Sequence, residues 1–114
     1  MITITDAQIR DWWESTAPYT IMILSNRSRH EAVPDRKAII RAHERRMIAL
    51  HADGVLPIVC PARDRGELAG VAIFAADPDQ TARIMDEDPG VRAGLYSYQV
   101  HPCSSVPGSV LPPG

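Results

Sequence analysis

His43 is a titratable side chain where the sequence otherwise places apolar ones. On a helix over residues 35–53, Ile40, His43, Met47 and Leu50 fall within about 80° of arc, and the charged run Glu44-Arg45-Arg46 lies mostly off that stripe. His43 therefore points towards the core, where an imidazole needs a hydrogen-bond partner. Two readings follow: a core histidine tied to a backbone carbonyl, or a general base and acid, since imidazole titrates near neutrality. Asp88 is the matching candidate. Asp88-Pro89-Gly90 is a turn signal in which the carboxylate bonds its own backbone two residues on. Alternatively, two helices side by side on a sheet bring Asp88 to His43, where it would fix the tautomer and favour the imidazolium. Cys60, before Pro61 at the end of an apolar run, and Ser25, where another such run turns polar, are candidate pocket residues. Cys60 also reads as a small buried hydrophobe. His30, His51 and His101 could be imagined as metal ligands beside His43, but His43 and His51 lack the adjacent-turn spacing of an HExxH pair. They read as packed or solvated histidines, and no metal or organic cofactor is expected. Arg45 and Arg46 could receive an anion but read as a solvated face.

The elements that position these residues are legible. Thr5-Asp6-Ala7-Gln8 is a capping box opening a helix over Asp6 to Ser15 that carries Ile9, Trp12 and Trp13. Tyr19 to Leu24 is an apolar, partly β-branched strand, and Ser25 to Pro34 a polar loop. Asp35 is placed to cap the long helix, which stops at Gly54. Val55 to Cys60 and Leu68 to Ala75 form a hairpin about a Gly/Pro-punctuated turn. Asp77-Pro78 opens a second helix running to about Glu87. Gly94 to His101 is the last strand, and the proline-rich Pro102 to Gly114 is expected to lack regular structure.

After the N-terminal helix the order is βαββαβ. This predicts an α+β, ferredoxin-like fold with a four-stranded antiparallel sheet and two helices on one face. Two helices cover one face only, yet Tyr19 to Leu24, Val55 to Cys60 and Val71 to Ala75 are apolar at both parities. The other face is expected to be buried, in part by the tryptophan-bearing helix or wholly by a second copy of the chain, as a homodimer.

The 114 residues suffice for one core, and their net charge of −2 is interspersed. No basic stripe suits a phosphate backbone, so nucleic acid is not an expected partner. No apolar run approaches the ~20 residues that span a bilayer. The N-terminus lacks the pattern of a signal peptide, so a cytoplasmic location, with Cys60 and Cys103 as thiols, is expected.

Several stretches, taken in order, resemble the YCII-related family of small dimeric α+β barrel proteins. They are Arg41-Ala42-His43, then Leu50, Gly54, Leu56, Pro61 and Gly70, and above all Asp88-Pro89-Gly90-Val91-Arg92-Ala93-Gly94 leading into a strand that ends at Pro102. The likeness covers residues 19–102, leaving residues 1–18 as an N-terminal helical extension and 103–114 as a proline-rich tail. The resemblance implies a ferredoxin-like fold, dimerisation through the sheet face and an active-site pair falling on His43 and Asp88. One branch of the family looks like a dehydrochlorinase of hydroxylated aromatic rings; muconolactone isomerases and cofactor-independent monooxygenases are related barrels. Two positions depart from the pattern: Cys60 stands where the family has Gly, and Gly90 where it has a large residue. The expected function is then a cofactor-independent lyase or isomerase using a His-Asp proton shuttle on a small cyclic enol or phenol-like metabolite. The alternative is a non-catalytic small-molecule-binding or accessory dimeric module. Geometry discriminates: the enzyme needs His43 and Asp88 within hydrogen-bond reach at the wall of an open cavity.

Overall fold

The computed structural model describes residues 1–114, except for the side chain of His30. The elements run α1 (Asp6–Glu14), β1 (Ala17–Asn26), α2 (Arg36–Ala52), β2 (Ile58–Pro61), β3 (Leu68–Phe74), α3 (Pro78–Asp86), α4 (Pro89–Arg92) and β4 (Tyr96–Ser105). The four strands form one antiparallel sheet in the order β2-β3-β1-β4, the ferredoxin-like arrangement.

Register follows from the apolar pattern, because successive side chains point to opposite faces. Thr20, Met22 and Leu24 pair with Phe74, Ala72 and Gly70, and this row lies under the helices. Met22, Leu24, Ala72 and Phe74 join Met47 from α2, Met85 from α3 and the loop residue Leu56 in the buried core. On β4, Tyr98 and Val100 pack on that core while Ser97, Gln99 and His101 are exposed. The opposite face carries Tyr19, Ile21, Ile23 and Ile73, all half-buried, and Val71, exposed.

Local chemistry explains the helix ends. Thr5 and Gln8 close the capping box of α1, and Asp77 and Gln80 close one on α3, where Pro78 takes the first position. Asp35 departs from expectation: it sits in the left-handed region (φ 58°) and makes no side-chain cap. Gly54 stops α2 at φ +81°, a conformation that favours glycine.

The strands differ from the sequence reading at both ends of the sheet. Ser25 and Asn26 continue β1 and do not begin a loop: Ser25 pairs with Leu68 and Ser97. Val55 and Leu56 precede β2, and Leu56 is a core residue between α2 and the hairpin. β4 runs on to Ser105, pairing Ser104 with Pro18 and Ser105 with Ala17. The sheet thus crosses both expected boundaries, 18/19 and 102/103, because Pro102 has no N–H to give the ladder but the pairing resumes beyond it. A further helical turn, α4, replaces the simple break expected after Glu87.

Within the single chain the tryptophan-bearing helix does not cover the outer face of the sheet. No residue of α1 is buried, and Trp12 and Trp13 are 48% and 59% exposed. The tail runs past Tyr19, Ile58 and Ile73 between Ser105 and Ser109, but Val110 and Leu111 stay exposed. The radius of gyration is 16.4 Å, against about 13 Å for a compact chain of this length.

Candidate functional site

α2 and the segment 88–96 build the site together. His43 lies on the inward stripe of α2, next to Met47, and is 8% exposed. α4 packs against α2, which brings its N-cap residue, Asp88, to the imidazole. His43 Nδ1 lies 2.9 Å from Asp88 Oδ1 and 2.8 Å from Oδ2. Both readings of Asp88 hold at once, since Oδ2 also accepts from the N–H of Gly90 (3.0 Å) and of Val91 (3.3 Å). Arg46, one turn along α2, places Nη1 3.6 Å from Oδ1; that nitrogen is buried and makes no hydrogen bond among the described residues.

Asp88 is fully buried. Burial by itself would raise its carboxyl pKa. The His43 hydrogen bond and charge, then the Val91 N–H and the Arg46 guanidinium, outweigh burial and hold it below the usual carboxylate value. The carboxylate is therefore ionised at neutral pH and can only accept, so Nδ1 carries a hydrogen. Nε2 makes no hydrogen bond among the described residues, and in the neutral ring it is the nitrogen with the free lone pair.

The ring of Tyr96 lies against the imidazole, centroids 4.8 Å apart and planes at 49°. Burial, then the Asp88 charge, raises the Tyr96 phenol pKa, so it is neutral at physiological pH. Gly90 is buried beneath this tyrosine: a Cβ there would stand 2.5 Å from Cδ2 of Tyr96.

A cavity of about 160 Å³ opens between α2 and the sheet beside His43. Its walls are mainly apolar, from Met22, Leu24, Met47, Val59 and Ala72, with His43, Glu44 and Cys60 as the polar-capable exceptions. The register shift between Leu24 and Ser25 leaves Ala69 bulged out of the β1–β3 ladder at the cavity wall. Gly70 also lines it, and a Cβ at this position would lie 2.8 Å from the Cys60 carbonyl oxygen.

Of the expected pocket residues, Cys60 lines this cavity and Ser25 does not, because it follows the cavity-lining Leu24 and side chains alternate along β1, which puts Ser25 on the opposite face. His51 donates to the Leu56 carbonyl at 2.7 Å and His101 pairs with Gln99, so neither approaches His43. His30, the remaining histidine, lies outside the described side chains. No cluster of three or more His, Cys, Asp or Glu suited to a metal is found among the described residues. Arg46 corrects the expectation of a solvated face: its position three residues after His43 puts it on the neighbouring row of the same helix. Tyr96 was not anticipated, and the only sequence trace of it is the small residue at Gly90.

No protein-family model matches the chain, and no curated protein matches it. Among solved structures it is similar to 5-chloro-2-hydroxyhydroquinone dehydrochlorinase from Burkholderia phenoliruptrix, in complex with 2,5-dihydroxybenzoquinone. The two share 18% identity at a TM-score of 0.56, over 73% of this chain and 90% of that one. The fold is thus a four-stranded α+β, ferredoxin-like one shared with a dehydrochlorinase, and among the described residues no helix is long and apolar enough to cross a membrane.

Proposed function

We propose that the chain is a lyase- or isomerase-type enzyme, working without metal or organic cofactor, in which His43 and Asp88 shuttle a proton on a small cyclic enol or phenol-like molecule. One observation carries this: a buried, ionised Asp88 holds Nδ1–H of a histidine that lines an apolar cavity. Nε2 would take a proton from an acidic C–H or O–H, and Asp88 would stabilise the imidazolium that forms. The imidazolium would then return the proton to another atom of the same ring, an isomerisation. Where the ring carries a halide, the electron pair left by the proton would expel it, an elimination of HX. Neither route needs an oxidant. The cavity volume supports the size of ligand: about 160 Å³ is close to that of an engineered apolar cavity known to hold benzene. The structural neighbour supports the ring chemistry, being a dehydrochlorinase crystallised with a dihydroxybenzoquinone.

The test is turnover of 5-chloro-2-hydroxyhydroquinone and a panel of chlorinated hydroquinones and enol lactones, followed by chloride release and by deuterium uptake from solvent. His43→Ala should reduce the rate by about 10²–10⁴-fold, the usual contribution of a positioned acid-base group. A His43→Ala variant as active as the parent would remove the assignment.

The same reading extends to family, assembly and location: a YCII-related domain, homodimeric through the sheet face, in the cytoplasm. The support for the dimer is the face bearing Ile21, Ile23, Val71 and Ile73, which no helix of the chain covers.

A further inference from the structure

A hydrogen bond at one ring nitrogen fixes a point and leaves the plane of the ring free to turn about it. Asp88 meets Nδ1 with both oxygens, at 2.9 and 2.8 Å, so the carboxylate does not select one tilt of the imidazole. The tilt nevertheless decides where Nε2 aims. Tyr96 is the aromatic ring in contact with His43, at a centroid distance within the range of favourable aromatic pairs.

The chain takes a particular course to put it there. α4 ends after one turn, Gly94 adopts φ +81°, and Leu95 donates to the Gly90 carbonyl at 2.9 Å. This reversal lays Tyr96 back over Gly90, where a Cβ would meet Cδ2 and Cε2 at 2.5 and 2.6 Å. Any other residue at position 90 would need the space the tyrosine occupies. Nine consecutive residues, 88–96, thus deliver a carboxylate to Nδ1 of His43 and an aromatic ring tilted against the imidazole.

We propose that Tyr96 is a positioning residue for His43, fixing the tilt of the imidazole and so the aim of Nε2 into the cavity, and that Gly90 is required because it leaves room for that ring. The proposal deepens the proton-shuttle reading and rests on it for its purpose. Its test reads the imidazole without substrate, so the two can fail separately.

The full chain, labelled with ¹⁵N and ¹³C at histidine, is compared by NMR as the parent, Tyr96→Phe, Tyr96→Leu and Gly90→Ala. In the parent, nuclear Overhauser contacts join the His43 and Tyr96 rings, and the Nδ1–H shared with Asp88 exchanges slowly with water. In Tyr96→Leu that proton should exchange about five- to tenfold faster, the change expected when an aromatic pair no longer opposes local opening. The backbone amides of α2 should keep their rates. Tyr96→Phe keeps the ring and should restore the slow exchange. Gly90→Ala should behave as Tyr96→Leu does, and it carries the comparison if the leucine variant does not fold. Absence of contacts between the rings in the parent overturns the proposal whatever the variants do. Equal Nδ1–H exchange in the parent and in whichever of these two variants folds overturns it too, as does a rise matched by the α2 amides.

Discussion

Asp88 is where burial and charge meet. A carboxylate removed from water is stable only when its oxygens are satisfied, and here His43, two backbone N–H groups and Arg46 surround it. Asp88→Ala should therefore cost about 3–5 kcal/mol in urea unfolding, because Arg46 loses its counter-charge and the Nδ1–H of His43 its acceptor. Asp88→Asn keeps the shape and separates charge from packing. The folded-state pKa of Asp88 lies below its ordinary 3.8. Its contribution to stability is thus complete above that value and lost as pH falls through the lower, folded one. The stability of the parent should fall more steeply than that of Asp88→Asn as pH drops below about 4; equal slopes in the two proteins would refute the account. At this scale the sequence marked both members of the pair, since a histidine in an apolar stripe demands a partner. It could not show that Asp88 keeps its turn bond to Gly90 while serving His43.

Among elements, the strand and turn geometry gives two glycines different reasons to be glycine. Gly54 has open space around an added Cβ, whereas at Gly70 the added atom would press on the Cys60 carbonyl oxygen at 2.8 Å. Gly54→Ala should cost about 1–2 kcal/mol through its left-handed backbone alone and leave the cavity unchanged. Gly70→Ala should cost about 1–3 kcal/mol by forcing β2 from β3, and it should weaken binding of phenol as a ring-sized probe, both read by calorimetry. A second pair of elements is joined by Tyr98 of β4, whose single O–H donates to Asp86 of α3 with the Ala82 carbonyl 3.1 Å away as a second, shared acceptor. Burial, then the Asp86 bond and charge, pushes the phenol up to about 12. Because the folded pKa is raised, this contribution is complete below pH 10 and lost as pH rises towards about 12. Thermal unfolding should therefore show a fall over that interval that Tyr98→Phe reduces. The starts of α1 and α3 were readable here because capping boxes are local. The length of β4 was not, because Pro102 masks a ladder that Ala17 and Pro18 sustain from far along the chain.

At the scale of the molecule, the single chain leaves α1 exposed and covers the outer sheet face only in part, with the tail running past Tyr19 and Ile73. The homodimer proposed above predicts a mass in sedimentation equilibrium of twice 12.5 kDa. Ile23→Lys, on the outer face, should shift it to the monomer while circular dichroism stays unchanged; a parent that is monomeric at all concentrations would rule the dimer out. The amino-acid sequence by itself determined the α+β order, the antiparallel sheet with helices on one face, and the inward placement of His43. Each of these follows from periodicity and capping, which act over a few residues. Only the tertiary structure decided that Asp88, Arg46 and Tyr96 converge on that histidine, that Ser25 turns away from the cavity, and that α1 stands off the body. Those outcomes depend on how α4 docks on α2, on which face of β1 is turned towards the helices, and on the volume left open at Gly90. They are contacts between distant residues, and no local pattern encodes them.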